Sequence, residues 1–575
     1  MFNPGQPFVL LDDAAAGTAR LFTGLVAVVT AERPDNVVPA LEKLRAPGPW
    51  AGFMGYEAGY ALEPRLRPLA RLAPAGEPLL WFGRFADEAL LDVAGVAALL
   101  GDGPAHVGDA VPGVSEADYA AQLARVQALI AAGDIYQANL TFMASVAVGG
   151  HPLHLYARLR AGSAAPFGAL IFTGTLWLLS FSPELFFELR GRRLVARPMK
   201  GTAARGGDAV EDAERAAALH ADPKNRAENL MITDLLRNDL SRVGGEVAVP
   251  ALFSVETYPT VLQMTSTITA TAHDGIAAAD VLLRLFPCGS VTGAPKIRAM
   301  EVIAGVETGP RGAYTGSIGA IAANGDAVFN VAIRTLALAR GAPTARLGLG
   351  SGIVADSEAT AEWAECLLKS AFLARRGAPD LIETMRLEGG IMADLPRHLA
   401  RMAASARYFG GVIDEKAVES VVKSAVFGVE NARVRLVSVP SGAVSVEVSA
   451  LPAVPEGRVT AALVALPVAA DDWRLRHKTS DRAFYDEARR AAGAFEVVLL
   501  RPDGQVTEGS FTNIFVERGK FLLTPPLALG LLPGVLRARL LAEGRAVEAA
   551  LTPADLAGGF FIGNALRGLI PARLG

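Results

Sequence analysis

The period of the apolar positions changes repeatedly along the chain, and the changes divide it into elements. EADYAAQLARVQALIAAG (116–133) and EDAERAAALHAD (211–222) repeat apolar residues at the spacing of one helix face. LWLLSFS (176–182), LFFEL (185–189), YTGSIGAI (314–321) and VFNVAIRTLAL (328–338) read as strands bounded by glycine, proline and polar residues. Strands and helices do not alternate regularly enough for a doubly wound parallel sheet. The pattern predicts an α+β fold with large antiparallel sheets. Further on, Trp363, Leu367, Ala371 and Ala374 recur at helical spacing until Gly377, Ala378 and Pro379 stop the helix. DLIETMRLEGG (380–390) then begins a new strand and turn. A domain boundary is therefore expected here, with 1–376 on one side and 377–575 on the other.

Composition agrees with two or more domains. The chain has 575 residues, and single cores stop growing at about 250–300. Hydrophobic residues make up 51% and charged residues 20%, a globular balance. The net charge of −4, with acids and bases interspersed, predicts neither nucleic acid nor an anionic membrane as partner. Mean hydropathy is +0.31, but the longest apolar stretch, 168–181, is broken by Thr173, Gly174 and Thr175 and is too short to span a bilayer. The N-terminal MFNPGQPFVLLDDAAAG lacks the basic start of a signal peptide, and Cys288 and Cys366 offer no disulfide framework, so a cytoplasmic location is expected. Nine lysines stand against 46 arginines. Since arginine cannot be deprotonated, each remaining lysine ranks higher as a candidate for amine chemistry.

Several polar clusters go beyond what a structural sequence needs. Glu184 in Ser182-Pro183-Glu184 ends a strand, and Lys200 in RPMKGT follows a short turn, so a carboxylate and an amine could face one pocket. AENLMITDLLRNDL carries Glu228, FPCGSVTGAPK (286–296) is a glycine-broken loop suited to an anion, and Arg334 is a charge in an apolar strand. Glu362 and Glu365, with Glu228, could hold a hard cation through oxygen ligands.

In order, GDIYQANL (133–140), SPELFF (182–187), RPMKGTAAR (197–205), AENLMITDLLRNDLSRV (227–243), FPCGSVTGAPKIRAMEVI (286–303), YTGSIG (314–319), IRTL (333–336) and GLGSGIVADSEATAEWAECLLK (348–369) resemble the chorismate-utilising enzymes. That family includes anthranilate, isochorismate, salicylate and aminodeoxychorismate synthases. The resemblance implies a magnesium-dependent site for chorismate. Lys200, where anthranilate synthases have alanine, and Asn229, where they have histidine, resemble the aminodeoxychorismate synthase branch. The resemblance then implies Lys200 as nucleophile, Glu184 as general acid and base, and Glu228 and Glu365 as ligands of Mg²⁺. It implies that Arg334, Tyr314 and the Gly350 and Gly352 backbone hold the enolpyruvyl carboxylate, with Ser290 and Thr292 nearby. Cys288 and Ser351 depart from frequent glycines. The aromatics of WAGFMGYEAGY (50–60) are expected in the core. No glutaminase motif is present, so ammonia is expected from solution or from a separate glutamine amidotransferase subunit.

The C-terminal stretch resembles the fold-type IV pyridoxal-phosphate enzymes through HLARM (398–402), RHKTSDRAFY (476–485), VTEGSFTNIF (506–515), LGLLPGVLR (529–537) and FIGNALRGLIPA (561–572). The resemblance implies that Lys478 carries pyridoxal 5′-phosphate and that Glu508 pairs with its pyridinium nitrogen. It implies that Arg401, the Val535 and Leu536 amides at a helix start, and Asn564 bind its phosphate. These motifs separate lyase from transaminase poorly. The neighbouring amination site favours a lyase that releases pyruvate and leaves 4-aminobenzoate. Two alternatives stay open: an anthranilate synthase component fused to a class IV aminotransferase, and a synthase with a non-catalytic docking domain. Fold-type IV sites often form at dimer interfaces, so a homodimer through this domain is an arrangement the resemblance allows.

Overall fold

The computed structural model describes residues 2–575 apart from 102, 207–208, 259–260, 375–378, 410, 440–441 and 454. The expected boundary at Gly377 and Ala378 lies outside the described residues. The chain forms two compact units, one of residues 1–204 and 216–377, the other of 205–215 and 378–575. The division expected from sequence made no provision for 205–215. No helix among the described residues is long and apolar enough to cross a membrane.

The first unit is built on one continuous antiparallel ladder. From one edge, strand Gly244–Thr257 pairs with Val261–Ala272, which pairs with Arg193–Arg197 and, beside it, Met199–Ala204. The ladder continues through Leu185–Arg190, Ala327–Asn330, Ser317–Ile321, Trp50–Met54, Leu80–Leu91 and Thr18–Ala31. It goes on through Phe8–Asp13, Phe167–Phe172, Leu176–Ser182, Thr335–Ala339, Thr344–Ile353 and Gln137–Gly150. The long apolar stretch 168–181 is thus most of a hairpin, turned at Thr173–Thr175. One face of these strands meets in an inner cluster that includes Val9, Phe22, Phe53, Ile171, Leu178 and Ile318. The other faces pack against helices, among them Glu116–Ala131 and Pro223–Ser241. Trp50, Phe53, Tyr56 and Tyr60 are all buried, as expected of core.

Two crossovers in this ladder position the chemistry. Strands 176–182 and 185–190 follow each other in sequence but lie far apart in the ladder, and so do 327–330 and 335–339. Each pair is joined by a few residues, Pro183–Glu184 and 331–334. The crossovers clasp each other: Val331 N–H donates to Glu184 O (3.0 Å), Phe181 N–H to Arg334 O (3.1 Å), and Ser182 Oγ to Val331 O (2.6 Å). The single strand expected over 328–338 is therefore two strands, broken at Arg334, whose φ is 50°. Left-handed backbone at a non-glycine residue is uncommon and persists where the surroundings over-determine it.

Helix starts follow sequence rules. Ser115 and Asp118 form a capping box on helix Glu116–Ala131. Asp222 accepts from Asn225 N–H (2.7 Å) with Pro223 as the first helical residue of Pro223–Ser241, the helix that carries Glu228.

In the second unit, strands Ile391–Met392, Leu381–Glu388, Ala432–Ser438 and Val444–Ser449 form an antiparallel sheet covered by helix Leu395–Tyr408. A seven-stranded mixed sheet has the order Glu496–Leu500, Val459–Ala465, Gly568–Leu574, Phe560–Asn564, Asn513–Arg518, Phe521–Thr524, Ala546–Glu548. The helix expected from Val535 is Val535–Ala542, with Gly534 before it.

Two candidate active sites

Lys200 lies on strand Met199–Ala204, and its Nζ is 3.1 Å from Glu228 Oε2. Buried Asn229 fixes the backbone there: its Nδ2 donates to Lys200 O (3.0 Å), while its Oδ1 accepts from Ser266 Oγ (2.5 Å). An amide at 229 thus shapes the strand that bears the amine. Gly352 keeps the space beside that amine open, since a Cβ there would lie 2.8 Å from Lys200 Nζ and 3.0 Å from Gln137 Nε2.

Glu184, 4% exposed, accepts from Ser290 Oγ at 2.6 Å. Burial pushes its carboxyl up to about 7, against the opposing effects of Ser290, Lys200 and Lys369. Ser290 is thus a support of Glu184. Thr292 is fully buried and donates to Cys288 O (2.8 Å), holding its own loop. Tyr314 lies with its ring against Gly348, where no Cβ would fit. Arg334 has no ion-pair partner among the described residues, and burial pulls its pKa down. A desolvated guanidinium without a partner is costly unless an anion completes it. Gly350 O accepts from Lys369 Nζ (2.8 Å), and Lys369 also pairs with Glu365 at 2.8 Å. Burial raises the Glu365 carboxyl, but Lys369, Lys200 and Lys224 together hold it below its ordinary value. The charges of three of the nine lysines therefore act on this one carboxylate, Lys369 in direct contact. Glu362 is turned to Ser357 Oγ (2.7 Å). Among the described residues no three His, Cys, Asp or Glu side chains cluster as metal ligands; Glu228 pairs with the Lys200 amine, whose charge also acts on Glu365. Two carboxylates completed by substrate oxygens and water satisfy a magnesium ion.

In the second unit a cavity of about 560 Å³ is lined by Lys478, Arg401, Glu508, Tyr485, Val535 and Asn564, among others. Lys478 sits on a loop pinned to strand Leu381–Glu388, where Ile382 N–H donates to Lys478 O (2.9 Å). Burial, then Arg482 and Arg401, lower the Lys478 amine to about 7. Glu508 accepts from Tyr485 Oη (2.6 Å) and Leu532 N–H (3.1 Å), and burial pushes it up to about 7. Arg401 uses three N–H groups within the protein, two on Glu383 (2.8 and 2.6 Å) and one on Pro533 O (2.9 Å). Asn564 has both amide atoms engaged, donating to Phe511 O (3.1 Å) and accepting from Leu566 and Arg567 N–H. Val535 lines the cavity, and Leu536 is buried outside its lining at a helix start whose amides have no helical acceptor. An amine, a carboxylate braced by a phenol, and a cationic helix-start end make a donor set that fits pyridoxal 5′-phosphate.

Sequence reasoning missed several residues. Gln137, 0% exposed, has neither amide atom paired among the described residues; it lay inside a quoted motif, but burial without a partner has no sequence signal. Buried Glu496 accepts from Ser510, Phe511 and Thr512 and so shapes the loop after Glu508. Arg433 and Arg435 line the cavity without an ion-pair partner among the described residues, and burial together with Arg433 lowers the pKa of Arg567.

Residues 6–375 match the family described as chorismate binding enzyme, and residues 380–574 match amino-transferase class IV. The chain is 42% identical over 254 residues to aminodeoxychorismate synthase component 1 of Klebsiella aerogenes, covering 44% of this chain and 56% of that protein. It is 40% identical over 260 residues to anthranilate synthase component 1 of Streptomyces coelicolor, covering 45% and 50%. The chain spans about half the length of the curated relatives it matches. Anthranilate synthase component I from Streptococcus pneumoniae shares the fold at 24% identity and a TM-score of 0.54, covering 63% of this chain and 92% of that one. Since the first match takes in well over half of the chain, the protein belongs to the chorismate binding enzymes, with an amino-transferase class IV region following in the same polypeptide.

Proposed function

We propose that the first unit aminates chorismate to 4-amino-4-deoxychorismate and that the second eliminates pyruvate from it, leaving 4-aminobenzoate for folate synthesis. The observation that carries this reading is the Lys200 amine paired with Glu228 and acting through its charge on buried Glu184. Lys200, once deprotonated, forms a bond to ring carbon 2 as the 4-hydroxyl leaves as water, taking a proton from Glu184. Ammonia then bonds to carbon 4, Lys200 leaves carbon 2, and Glu184 takes a proton back. The net change is chorismate plus ammonia to aminodeoxychorismate plus water. Arg334 and Tyr314 hold the enolpyruvyl carboxylate against the Gly350 and Gly352 backbone, and Ser290 fixes Glu184. Glu228 and Glu365 would hold Mg²⁺, which offsets the charge of the ring carboxylate.

Pyridoxal phosphate, when bound in the second unit, supplies an electron sink for the carbon beside the substrate amine. Glu508, braced by Tyr485, would pair with the cofactor's ring nitrogen. Lys478 removes the proton from the amine-bearing carbon, enolpyruvate leaves, and the ring becomes aromatic. Arg433, Arg435 and Arg567 favour an amine with two carboxylates, which speaks for the lyase over an amino-acid transaminase. Ammonia comes from solution or from a separate glutamine amidotransferase subunit, in the cytoplasm, and a homodimer through the second unit is compatible with the reading.

Product analysis tests the whole. Chorismate, ammonium, Mg²⁺ and pyridoxal phosphate should give 4-aminobenzoate and pyruvate in equal amounts. Anthranilate as the product would overturn the reading of Lys200, and the Streptomyces coelicolor relative makes that outcome the one to look for.

A further inference from the structure

We propose that His398 is a direct ligand of the cofactor's phosphate, oriented for that task by Glu383. The inference rests on the reading of the second unit as a pyridoxal-phosphate site. His398 stands one turn before Arg401 on helix Leu395–Tyr408, so both side chains leave the same face. Both reach Glu383, which is 1% exposed on strand Leu381–Glu388: His398 Nδ1 is 2.6 Å from Oε2, and Arg401 donates to both oxygens. Burial would raise the Glu383 carboxyl, but Arg401 and His398 bring it down to about 2. The carboxylate is therefore ionised and can only accept, so His398 Nδ1 carries a proton and donates it to Glu383, and Nε2 donates to an anion when the ring is the imidazolium, with a proton on each nitrogen and the Glu383 carboxylate facing its charge.

That leaves Nε2. It is buried and has no partner among the described residues, while the ring is 1% exposed and forms part of the cavity wall. A buried polar nitrogen without a partner is rare in folded proteins and calls for an explanation in an ion or ligand. Its neighbours say which ligand. Arg401 ties this helix to Pro533 O, just ahead of helix Val535–Ala542, and Gly534 and Val535 share the cavity wall with His398. Gly534 sits so close to Asn513 that no Cβ would fit, which keeps the backbone amides at the helix start accessible. A helix start, a guanidinium and an orphaned imidazole nitrogen around one end of a cavity suit a phosphate rather than a neutral ring. Arg401 spends three of its five N–H groups and Asn564 one of its two inside the protein, so His398 Nε2 adds a donor to what these groups have left for an anion.

The test compares pyridoxal 5′-phosphate with pyridoxal, which lacks the phosphate, binding to the full chain stripped of cofactor. Dissociation constants are read from the ligand's absorbance change for the parent, His398→Asn and His398→Gln. Asparagine places an N–H where Nδ1 was, keeping the bond to Glu383 while losing Nε2. Glutamine places its N–H where Nε2 was. His398→Asn should weaken pyridoxal phosphate roughly tenfold or more, the loss of one hydrogen bond to a charged group, and leave pyridoxal within about twofold, with His398→Gln recovering part of the affinity. Equal weakening of both ligands in His398→Asn would make His398 a structural residue and overturn the inference. Unchanged affinity for pyridoxal phosphate in that variant would overturn it too. If His398→Asn fails to fold, His398→Gln decides alone, since a direct phosphate contact predicts near-parent discrimination between the two ligands. A parent chain that binds neither ligand would overturn the pyridoxal-phosphate reading itself, and this inference with it.

Discussion

Burial brings three reacting groups into one range. Glu184 and Glu508 are raised to about 7 and Lys478 is lowered to about 7, so each can hold or release a proton near neutral pH. For Glu184 this means that one carboxyl can give a proton to the leaving hydroxyl and later accept one from ammonia. Glu184→Gln should slow amination by about 10²–10⁴-fold, measured as chorismate consumption; a loss under about tenfold removes it from that role. Lys200→Ala should abolish amination and leave pyruvate release from supplied aminodeoxychorismate intact, because Lys200 belongs to the first unit alone. Equal amination by variant and parent would sink the covalent step. Lys478 must be neutral to capture the cofactor. Its neutral form predominates above about 7, where an ordinary lysine would need pH above 10.5. The rate of pyridoxal-phosphate capture by the stripped chain should thus rise with pH through about 7 and then level off. A rate still climbing steeply at about pH 9 would contradict the burial of this amine.

At the scale of elements, the first site is made by crossovers. The turn bearing Glu184 and the turn bearing Arg334 bind each other's backbones, and the loop bearing Ser290 closes over Glu184 from 106 residues away. The strand pair 137–150 and 344–353 sets Gln137 and Gly352 beside the Lys200 amine. Gly352→Ala tests this arrangement without removing a reacting group. Its Cβ would crowd Lys200 Nζ and Gln137 Nε2, so amination should fall by about tenfold or more, as 1 Å displacements in an active site cost up to 10²-fold, while melting stays near that of the parent. In the second unit, Glu383 links strand 381–388 to helix 395–408. Its folded pKa of about 2 lies below the ordinary 4.5, so its contribution to stability is present above about 4.5 and is lost as pH falls toward 2. Melting of the stripped chain should show an acid-side loss in that window. Glu383→Gln should be less stable at neutral pH and show less of that loss; an identical pH profile for the variant would contradict the burial of this pair.

For the whole molecule, the two compact units carry the groups assigned above to the two proposed reactions. Lys478→Ala should still consume chorismate but accumulate aminodeoxychorismate, and an added independent lyase should restore 4-aminobenzoate. A Lys478→Ala chain that makes 4-aminobenzoate as fast as the parent would show that the second unit is not the lyase. Chelation of Mg²⁺ should stop chorismate consumption and spare pyruvate release from supplied aminodeoxychorismate, since Glu228 and Glu365, the carboxylates assigned to the cation, belong to the first unit. Magnesium dependence of pyruvate release would contradict that assignment.

Local features were legible in the sequence because their causes are local. The strand 176–182 and the helix 116–131 follow from apolar period, and the α+β character from the irregular order of elements, while the helix start at Val535 came from the family resemblance. Motif order further placed Lys200 and Lys478 among the candidates. The apolar run 328–338 misled, because periodicity cannot show that a chain leaves one part of a ladder for another, and the break over 331–334 makes that passage. The tertiary structure alone decided that Ser290 serves Glu184, that Arg401 and Asn564 are partly engaged within the protein, and that His398 Nε2 and the Gln137 amide are buried without a partner among the described residues. Hydrogen-bond partners and burial depend on residues far apart in sequence, and it is burial, through desolvation, that moves Glu184, Glu508 and Lys478 into their working range.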